Sequence, residues 1–368
     1  MECAERPPVD LDFIRDFNAK TERLRVPISG SIELTHQCNL RCVHCYLGNS
    51  TDLRQQRSRA EMSTSRILSI IDEITEAGCL YLLITGGEPL SRRDFPKIYS
   101  HAKRQGLVLT IFTNGTLVTD RIIDLFADMP PRVVEISLYG ATSTTYEKIT
   151  RVPGSHAKCL NAVGSLLERG VPVGLKTILM TLNKHEFTEI EAISRSLGVK
   201  FRFDAAIFPR LDGDKSPLRL RVSPEEAVEL EFADVDRAGT WAQYFTKSKG
   251  QSPNERLYNC GAGLTSFHID PCGYLHPCIM PTGLKYDLAE GGFLKGWRGT
   301  ISRIRTRKAG GIYACNHCEK RHLCGFCPAF FRLEKGKERT YSEYLCSVGG
   351  LRFLEIKKLY QRGESNAA

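Results

Sequence analysis

The sequence contains no long apolar run and no secretory signal. No stretch of 18 or more consecutive apolar residues occurs among its 368 residues, so a membrane-spanning helix is not expected. The first residues, MECAERPPVDLDF, lack the basic segment followed by an apolar segment that marks a signal peptide. We therefore expect a cytoplasmic protein that does not use a membrane as a partner.

A dense basic run is also missing, although the formal net charge is +9. Such a charge is compatible with a nucleic acid or an acidic peptide as partner. The lysines and arginines are spread along the chain, however, and we do not expect a nucleic-acid-binding protein. The chain is long enough for one large domain and one smaller domain.

Cysteine is abundant, with fourteen residues. In a reducing compartment, cysteines bind metals more often than they form disulfides. Cys38, Cys42 and Cys45 lie close together in THQCNLRCVHCYLG at residues 35–48. Because structural zinc sites and most iron–sulfur clusters use four protein ligands, three cysteines indicate a centre with one open position. The triplet alone is also compatible with part of a zinc site.

Short apolar runs alternate with helical patterns from residue 28 to about 210. One helix is predicted at 63–77, capped by Ser63 or Thr64 and closed by Gly78. Six such β/α units predict an α/β fold with a parallel sheet and right-handed crossovers. Functional side chains on such a sheet gather at the carboxyl ends of the strands. The predicted strands lie at 30–35, 80–85, 107–113, 133–140, 171–180 and 200–208.

The rest of the chain divides by its composition. A bridging helix is predicted at 223–256, where Ser-Pro-Glu-Glu opens a helical pattern. Eight cysteines follow within about 90 residues, which indicates a second, metal-binding domain. The expected domains are an N-terminal segment at 1–27, a large domain at 28–222, the bridging helix, a cysteine-rich domain at 257–350 and a helical tail at 351–368.

The C-x-x-x-C-x-x-C motif followed by β/α repeats resembles the radical S-adenosylmethionine (SAM) enzymes. The resemblance implies a partial (β/α)6 radical SAM barrel with a small C-terminal iron–sulfur domain. It also implies that Cys38, Cys42 and Cys45 bind a [4Fe–4S] cluster whose open iron is chelated by SAM. In that family an electron from the cluster cleaves SAM, and the resulting 5′-deoxyadenosyl radical abstracts a hydrogen atom from the substrate. The cofactor carries the chemistry, while the protein orients and shields it.

Further residues resemble the family's SAM contacts. The T-G-G-E-P motif at 85–89 corresponds to the segment that holds the SAM amino group. Ser137 in E-I-S-L-Y-G resembles the ribose contact, and Asn114 in T-N-G lies near the adenosyl end by analogy. Arg151 in I-T-R-V-P-G resembles the arginine that meets the SAM carboxylate. The residues carried over from the motif at 85–89 are Gly86, Gly87 and Glu88.

The C-terminal cysteines resemble the SPASM extension of peptide-modifying radical SAM enzymes. The chain has C-x2-C at Cys324 and Cys327 where that extension usually has C-x3-C. The resemblance implies two auxiliary [4Fe–4S] clusters, the second with Cys272 or an open iron in its fourth position. The two implied ligand sets are Cys315, Cys318, Cys324 and Cys346, and Cys260, Cys278 and Cys327.

Zinc remains an alternative for this domain on the residues alone. The C-x2-C pairs with His317 and His322 nearby are typical of zinc ribbons as well. Cys3, Cys79 and Cys159 fall outside both patterns, and we interpret Cys79 and Cys159 as buried core thiols.

The expected function is oxidative maturation of a ribosomally synthesised peptide by a crosslink or a side-chain oxidation. Sulfatase maturation is disfavoured, because enzymes of that kind have Asp where this chain has Ile279. One alternative is oxidation, epimerisation or side-chain removal on a small molecule such as a sugar or haem precursor. A remote alternative is a zinc-binding RNA-interaction protein.

The expected partners are the peptide, an electron donor such as flavodoxin or ferredoxin, and a separate leader-binding protein. No catalytic acid or base can be assigned from the sequence, and Asp204, Glu135 and His268 are candidates. Lys176 either lines the barrel or extends to the surface.

Overall fold

The computed structural model describes residues 11–48, 61–248, 255–310 and 313–365. Outside the described residues lie Cys3 with the rest of residues 1–10 of the predicted N-terminal segment, part of the predicted bridging helix and the end of the tail. The strands are β1 (Ser29–Glu33), β2 (Tyr81–Thr85), β3 (Val108–Thr113), β4 (Val133–Ser137), β5 (Val173–Ile178), β6 (Lys200–Asp204), β7 (Ser266–Ile269), β8 (Tyr274–His276) and β9 (Tyr286–Asp287).

The helices alternate with the strands up to β6 and then continue into the C-terminal part. They are α1 (Leu11–Leu24), α2 (Thr64–Glu76), α3 (Phe95–Arg104), α4 (Asp120–Asp128), α5 (Ser143–Thr150), α6 (Ser155–Glu168), α7 (Phe187–Ser196), α8 (Pro224–Phe232), α9 (Val235–Ser248), α10 (Gly292–Arg298), α11 (Pro328–Lys335) and α12 (Glu343–Ser365).

One nine-stranded sheet organises the molecule, in the order β6-β5-β4-β3-β2-β1-β7-β8-β9. Strands β1–β6 are parallel neighbours, which confirms the six predicted β/α units. Strand β7 adds in parallel to β1, and β8 and β9 follow antiparallel. The sheet therefore continues across the domain boundary predicted at residue 257.

Helix α2 shows how the sequence pattern builds the core. The Ser63 side chain accepts a hydrogen bond from the Arg66 backbone N–H over 3.2 Å, and Gly78 follows the helix at φ +98°. Both residues are at the predicted caps. One face of the helix packs against the sheet and is fully buried, through Ile67, Ile70, Ile71 and Ile74.

The predicted bridging helix is two helices, α8 and α9, within the described residues. Ser223 and Glu226 form a capping box that opens α8, as the Ser-Pro-Glu-Glu pattern indicates. The chain then restarts at Asp234, whose carboxylate accepts a hydrogen bond from the Arg237 backbone N–H over 2.8 Å. An aspartate that caps a new helix inside a helical pattern explains the division.

Helices α1, α5, α10 and α11 are absent from the sequence-based expectation. Helix α5 matters for the site because it carries backbone carbonyls that hold the cysteine loop, as described below. None of the helices in the described ranges combines the length and the apolar character that a membrane-spanning helix needs.

Candidate active site

A cavity of about 440 Å³ lies at the carboxyl ends of the parallel strands. This is the edge at which side chains of such a sheet converge. Each of the six strands of the barrel contributes to its wall, for example through Ser31, Thr85, Thr113, Ser137, Lys176 and Asp204.

The loop after β1 brings Cys38, Cys42 and Cys45 together on this wall. The backbone N–H groups of Arg41 and Val43 donate to carbonyls of helix α5 over 2.9 and 3.0 Å. These bonds attach the loop to a rigid element, so the three thiols face the cavity from a fixed position.

Two rings lie beside the cysteines, those of His44 and Tyr139. Their centroids are 4.7 Å apart in an edge-to-face arrangement. Burial lowers the pKa of His44 to about 4, and its Nδ1 has no hydrogen-bond partner among the described residues. Burial, followed by the nearby cysteine thiolates, raises the pKa of Tyr139 well above its usual value. A neutral imidazole with an unused buried nitrogen beside three thiols fits a site built for a bound group.

Gly86 and Gly87 line the cavity and hold two loops in close contact. The Gly87 N–H donates to the Thr35 carbonyl over 2.7 Å. A Cβ on Gly86, which has φ +137°, would lie 2.5 Å from the Thr35 carbonyl oxygen. A Cβ on Gly87 would lie 2.2 Å from the Gln37 carbonyl oxygen. The two glycines were expected to let the backbone approach a ligand closely. In the structure, they first of all let it approach the cysteine loop.

Glu88 is fully buried and lies behind the wall, outside the set of cavity-lining residues. Its carboxylate accepts hydrogen bonds from the Thr113 hydroxyl (2.7 Å), the Asn114 N–H (2.7 Å) and the Leu90 N–H (3.1 Å). Burial raises the pKa of Glu88, and these donors oppose the shift. Its observed contacts therefore position the β3 loop, and its role toward the SAM amino group stays a prediction.

Asn114 connects the β3 loop to the cysteine loop. Its Nδ2 donates to the Asn39 side-chain oxygen over 2.9 Å and to Cys38 Sγ over 3.8 Å. Its Oδ1 accepts from both the backbone and the hydroxyl of Thr116. The amide orientation is fixed by these partners, with the N–H group directed to the sulfur.

Ser137 and Arg151 differ in their relation to the cavity. Ser137 ends β4 on the cavity wall and is 9% exposed. Arg151 follows helix α5 in a left-handed conformation (φ +58°), is exposed, and is not among the cavity-lining residues. The predicted contact of Arg151 with the SAM carboxylate stays a prediction.

The part of the cavity wall formed by β5 and β6 carries charged side chains. Lys176 on β5 and Arg202 on β6 are register partners and line the cavity with Phe112. Sequence reasoning left Lys176 open and missed Arg202 and Phe112. The available signal was the presence of charged residues inside short strands of a parallel sheet, which are usually apolar.

The three candidate acids and bases have different environments. Glu135 accepts hydrogen bonds from the Arg202 guanidinium, whose Nε lies 2.8 Å from it. The exposed Asp204 lines the cavity, and its Oδ1 accepts from the Ala206 N–H over 2.7 Å. His268 is buried behind the wall with its Nδ1 2.9 Å from the Ser31 hydroxyl, and burial lowers its pKa to about 3.

Four cysteines of the C-terminal part form one group. The thiolates of Cys315, Cys318 and Cys346 are close enough to Cys324 to act on it. Together with burial, the larger effect, they raise the pKa of Cys324 to about 12. The structure thus brings together the set that the SPASM resemblance implies, although its role as a ligand set stays a prediction.

A second group contains Cys260, Cys278 and Cys327. Burial, followed by the other two thiolates, raises the pKa of Cys327 to about 11. Cys272 lies on the turn between β7 and β8, where its sulfur is 4.0 Å from His36 Nε2. Its assignment as a fourth ligand of this group stays a prediction.

Among the residues that the structure describes, no three His, Cys, Asp or Glu side chains converge as a single metal ion requires.

The comparisons with known proteins agree with this geometry. Residues 32–197 match the family model of the Radical SAM superfamily. Residues 32–197 therefore form a domain of the radical SAM superfamily. The prediction of an iron–sulfur-dependent enzyme that uses a [4Fe–4S] cluster and SAM is confirmed at the level of that domain.

Relatives extend the likeness of this radical SAM protein beyond the barrel. The PqqA peptide cyclase of Rhodopseudomonas palustris is 28% identical over 313 residues, 78% of each chain. The AdoMet-dependent heme synthase of Methanosarcina barkeri is 24% identical over 320 residues, 81% of this chain and 90% of the relative. The crystal structure of Streptococcus suis SuiB bound to the precursor peptide SuiA has a TM-score of 0.70 at 16% identity, covering 94% and 82% of the two chains. The last comparison shows a shared fold, which confirms the predicted radical SAM architecture.

Proposed function

We propose that this protein is a radical SAM/SPASM peptide maturase, which oxidatively modifies a ribosomally synthesised peptide by a crosslink or a side-chain oxidation. The observation that carries the proposal is the position of Cys38, Cys42 and Cys45 on the wall of a substrate-sized cavity. A peptide as the substrate is supported by the similarity to a peptide cyclase, which extends over 78% of both chains.

In this proposal Cys38, Cys42 and Cys45 hold the [4Fe–4S] cluster that binds SAM. When bound, the cluster and SAM supply a 5′-deoxyadenosyl radical that removes a hydrogen atom from the substrate. The chain's own residues fix the geometry and exclude water. Asn114 donates to the Cys38 sulfur, and Leu40 and Phe208 make part of the wall apolar.

Gly86, Gly87, Asn114 and Ser137 are the proposed SAM contacts on the cavity wall. Glu88 supports this surface from behind, through its hydrogen bonds to the loop that carries Asn114. Arg151 remains the proposed partner of the SAM carboxylate from outside the described wall.

The two C-terminal cysteine groups are the proposed ligands of auxiliary [4Fe–4S] clusters. Such clusters would accept the electron that a substrate radical gives up in an oxidation. The members of one group are far apart in sequence. A cluster bound by them would therefore tie the ends of the small domain together. The ligands are Cys315, Cys318, Cys324 and Cys346 in one group, and Cys260, Cys278 and Cys327 in the other.

Two protein partners belong to this proposal. A flavodoxin or ferredoxin would supply the electron for SAM cleavage. A separate small protein would bind the leader of the precursor peptide. The chain's formal net charge of +9 is favourable for association with an acidic partner of either kind.

The decisive experiment is an anaerobic assay of the iron-loaded protein with dithionite and SAM. Short peptides encoded beside the gene are added one at a time, and 5′-deoxyadenosine and peptide mass are measured together. We expect one peptide to increase 5′-deoxyadenosine formation and to lose hydrogen atoms in integer pairs.

A haem precursor serves as the competing substrate in the same assay, because one relative is a heme synthase. Modification of an iron porphyrin, with every peptide left unchanged in mass, would overturn the peptide proposal. Formation of 5′-deoxyadenosine in neither arm, even without any substrate, would overturn the assignment of the cysteine triplet.

A further inference from the structure

In the described part of the chain, the amino group of Lys176 contacts an aromatic ring and forms no ion pair with a carboxylate. It lies 2.9 Å from the centroid of the Phe112 ring, on the wall of the cavity. Within the described ranges, no carboxylate forms an ion pair with it. An ammonium group that is partly removed from water and has no counter-ion costs free energy, even over an aromatic face. Burial lowers the pKa of Lys176 well below its usual value, and the positive charge of Arg202 adds to the shift.

The carboxylates around Lys176 are already engaged. Glu135 receives two hydrogen bonds from Arg202, and Glu88 receives three from its own loop and the β3 loop. Asp204 caps the Ala206 N–H at the mouth of the cavity. Glu135 and Glu88 act on the charge of Lys176 only through space, and neither forms an ion pair with it. Within the described residues, the site therefore has an amine to which no carboxylate is bonded.

We propose that Lys176, with Phe112 beneath it and Arg202 beside it, forms a subsite for a carboxylate of the substrate. The inference rests on the proposed function in one respect, the peptide nature of the substrate. It deepens that function by naming the chemical class of the bound residue, an aspartate or glutamate side chain or a C-terminal carboxylate. A lysine–carboxylate pair formed in the cavity provides both binding and orientation.

SAM also has a carboxylate, and the tests below separate the two sources. Lys176 on β5 is the register partner of Ser137 on β4, a proposed SAM contact, so the SAM carboxylate is a competing occupant of the subsite. Three strands, β2, β3 and β4, lie between β1, which leads to the cysteine loop, and β5, which favours the substrate carboxylate as the occupant.

The first test measures binding without turnover. Glutarate and its mono-amide, glutaramate, are titrated calorimetrically into the iron-loaded, SAM-bound protein under anaerobic conditions. We expect glutarate to bind about tenfold more tightly or better, because the amide cannot form the charge-assisted bond. Lys176→Met should remove the preference, and Lys176→Arg should retain most of it. Lys158→Met, at an exposed position on helix α6, removes the same charge and should change nothing.

Equal binding of glutarate and glutaramate, or a preference that survives in Lys176→Met, would overturn the subsite. A loss of SAM affinity in Lys176→Met equal to its loss of glutarate affinity would also overturn it, because Lys176 would then serve the SAM carboxylate. The iron content and the cluster absorbance of each variant establish that the fold is retained.

A second measurement separates this inference from the proposed function. Once a peptide is found to be modified, each of its acidic residues is exchanged for the amide, and its C-terminus is amidated. Loss of modification on one exchange supports the subsite, while full modification of every exchanged peptide overturns the subsite and leaves the peptide proposal intact. If no peptide reacts but glutarate binding depends on Lys176, the peptide proposal fails and the carboxylate subsite stands.

Discussion

The side-chain amide of Asn114 donates a hydrogen bond to the sulfur of Cys38 over 3.8 Å. Hydrogen bonds to cluster sulfurs stabilise the reduced, more negative state and so raise the reduction potential. Asn114→Ala should therefore lower the potential of the SAM-binding cluster. The cluster then becomes harder for an electron donor to reduce, and SAM cleavage with that donor should slow by roughly tenfold.

A redox titration followed by electron paramagnetic resonance measures this effect. Asn161→Ala, an exposed asparagine on helix α6, is the matched control and should leave the potential unchanged. An unchanged potential in Asn114→Ala would show that the amide is not bonded to a cluster ligand.

Glu186 connects helix α7 to the loop that follows β4. Its carboxylate accepts hydrogen bonds from the backbone of Ala141 and from both the backbone and the hydroxyl of Thr142, with a further bond from Thr145. Burial raises the pKa of Glu186, but these donors outweigh burial and the net pKa is lowered. Glu186→Gln should cost about 1.5–3 kcal/mol at neutral pH.

The sign of the pH dependence follows from the lowered pKa. The stabilisation by the carboxylate of Glu186 is complete above the unfolded-state pKa of about 4.3, and it is lost as the pH falls through the lower folded-state pKa. The difference in unfolding free energy between the wild type and Glu186→Gln should therefore shrink in that window. Urea unfolding followed by circular dichroism at pH 7 and at about pH 3.5 tests this. A constant difference at both pH values would contradict the assignment.

The sequence predicted those parts of the molecule that depend on local periodicity. The isoleucines of helix α2 recur at helical spacing, and they are the residues buried against the sheet. The cysteine triplet could also be placed, because it follows directly on a predicted strand. Helix α5 escaped prediction because Thr142–Thr150 has few apolar residues, and its main partners, Glu186 and the cysteine loop, are distant or irregular in sequence.

The directions of the side chains in the site could not be predicted from the sequence. The T-G-G-E-P motif does not reveal that Glu88 turns inward to Thr113 while Gly86 and Gly87 face the cavity. Likewise, Lys176 could be placed in a strand, but the ring of Phe112 beneath its amino group comes from a strand two positions away in the sheet. Such relations depend on register and rotamer, which no single stretch of sequence specifies.

A buried ion pair joins the segment before helix α8 to the cysteine-rich C-terminal part of the chain. Arg221 precedes helix α8, and its guanidinium lies 2.7 Å from the carboxylate of Glu334 on helix α11, with both side chains nearly inaccessible. The Ser342 hydroxyl donates to the same carboxylate over 3.1 Å. Glu334→Ala leaves a buried arginine without its counter-ion, and it should cost about 3–5 kcal/mol of stability.

The control for this change is an exposed ion pair in the C-terminal part of the chain. Glu255 and Lys308 are paired at 2.8 Å, but both side chains are more than 70% exposed. Glu255→Ala should have no measurable effect on denaturant unfolding, because solvent screens an exposed pair. Equal effects of Glu334→Ala and Glu255→Ala would show that burial does not determine the strength of the pair between Arg221 and Glu334.

The cysteine groups make separable predictions about iron. Replacing Cys38, Cys42 and Cys45 by Ala should abolish SAM cleavage and remove about four irons per chain, while the auxiliary iron remains. Cys324→Ala should instead weaken one auxiliary cluster and leave SAM cleavage in the absence of substrate in place, because Cys324 lies in a group apart from the cavity.

Cys79→Ala is the matched control for these variants, since the Cys79 thiol is buried in the core and donates to the Tyr81 carbonyl. Iron analysis and Mössbauer spectra of anaerobically prepared variants measure how much iron each variant retains and in which type of cluster. Full iron in the triple variant, or loss of iron in Cys79→Ala, would contradict the division of the cysteines.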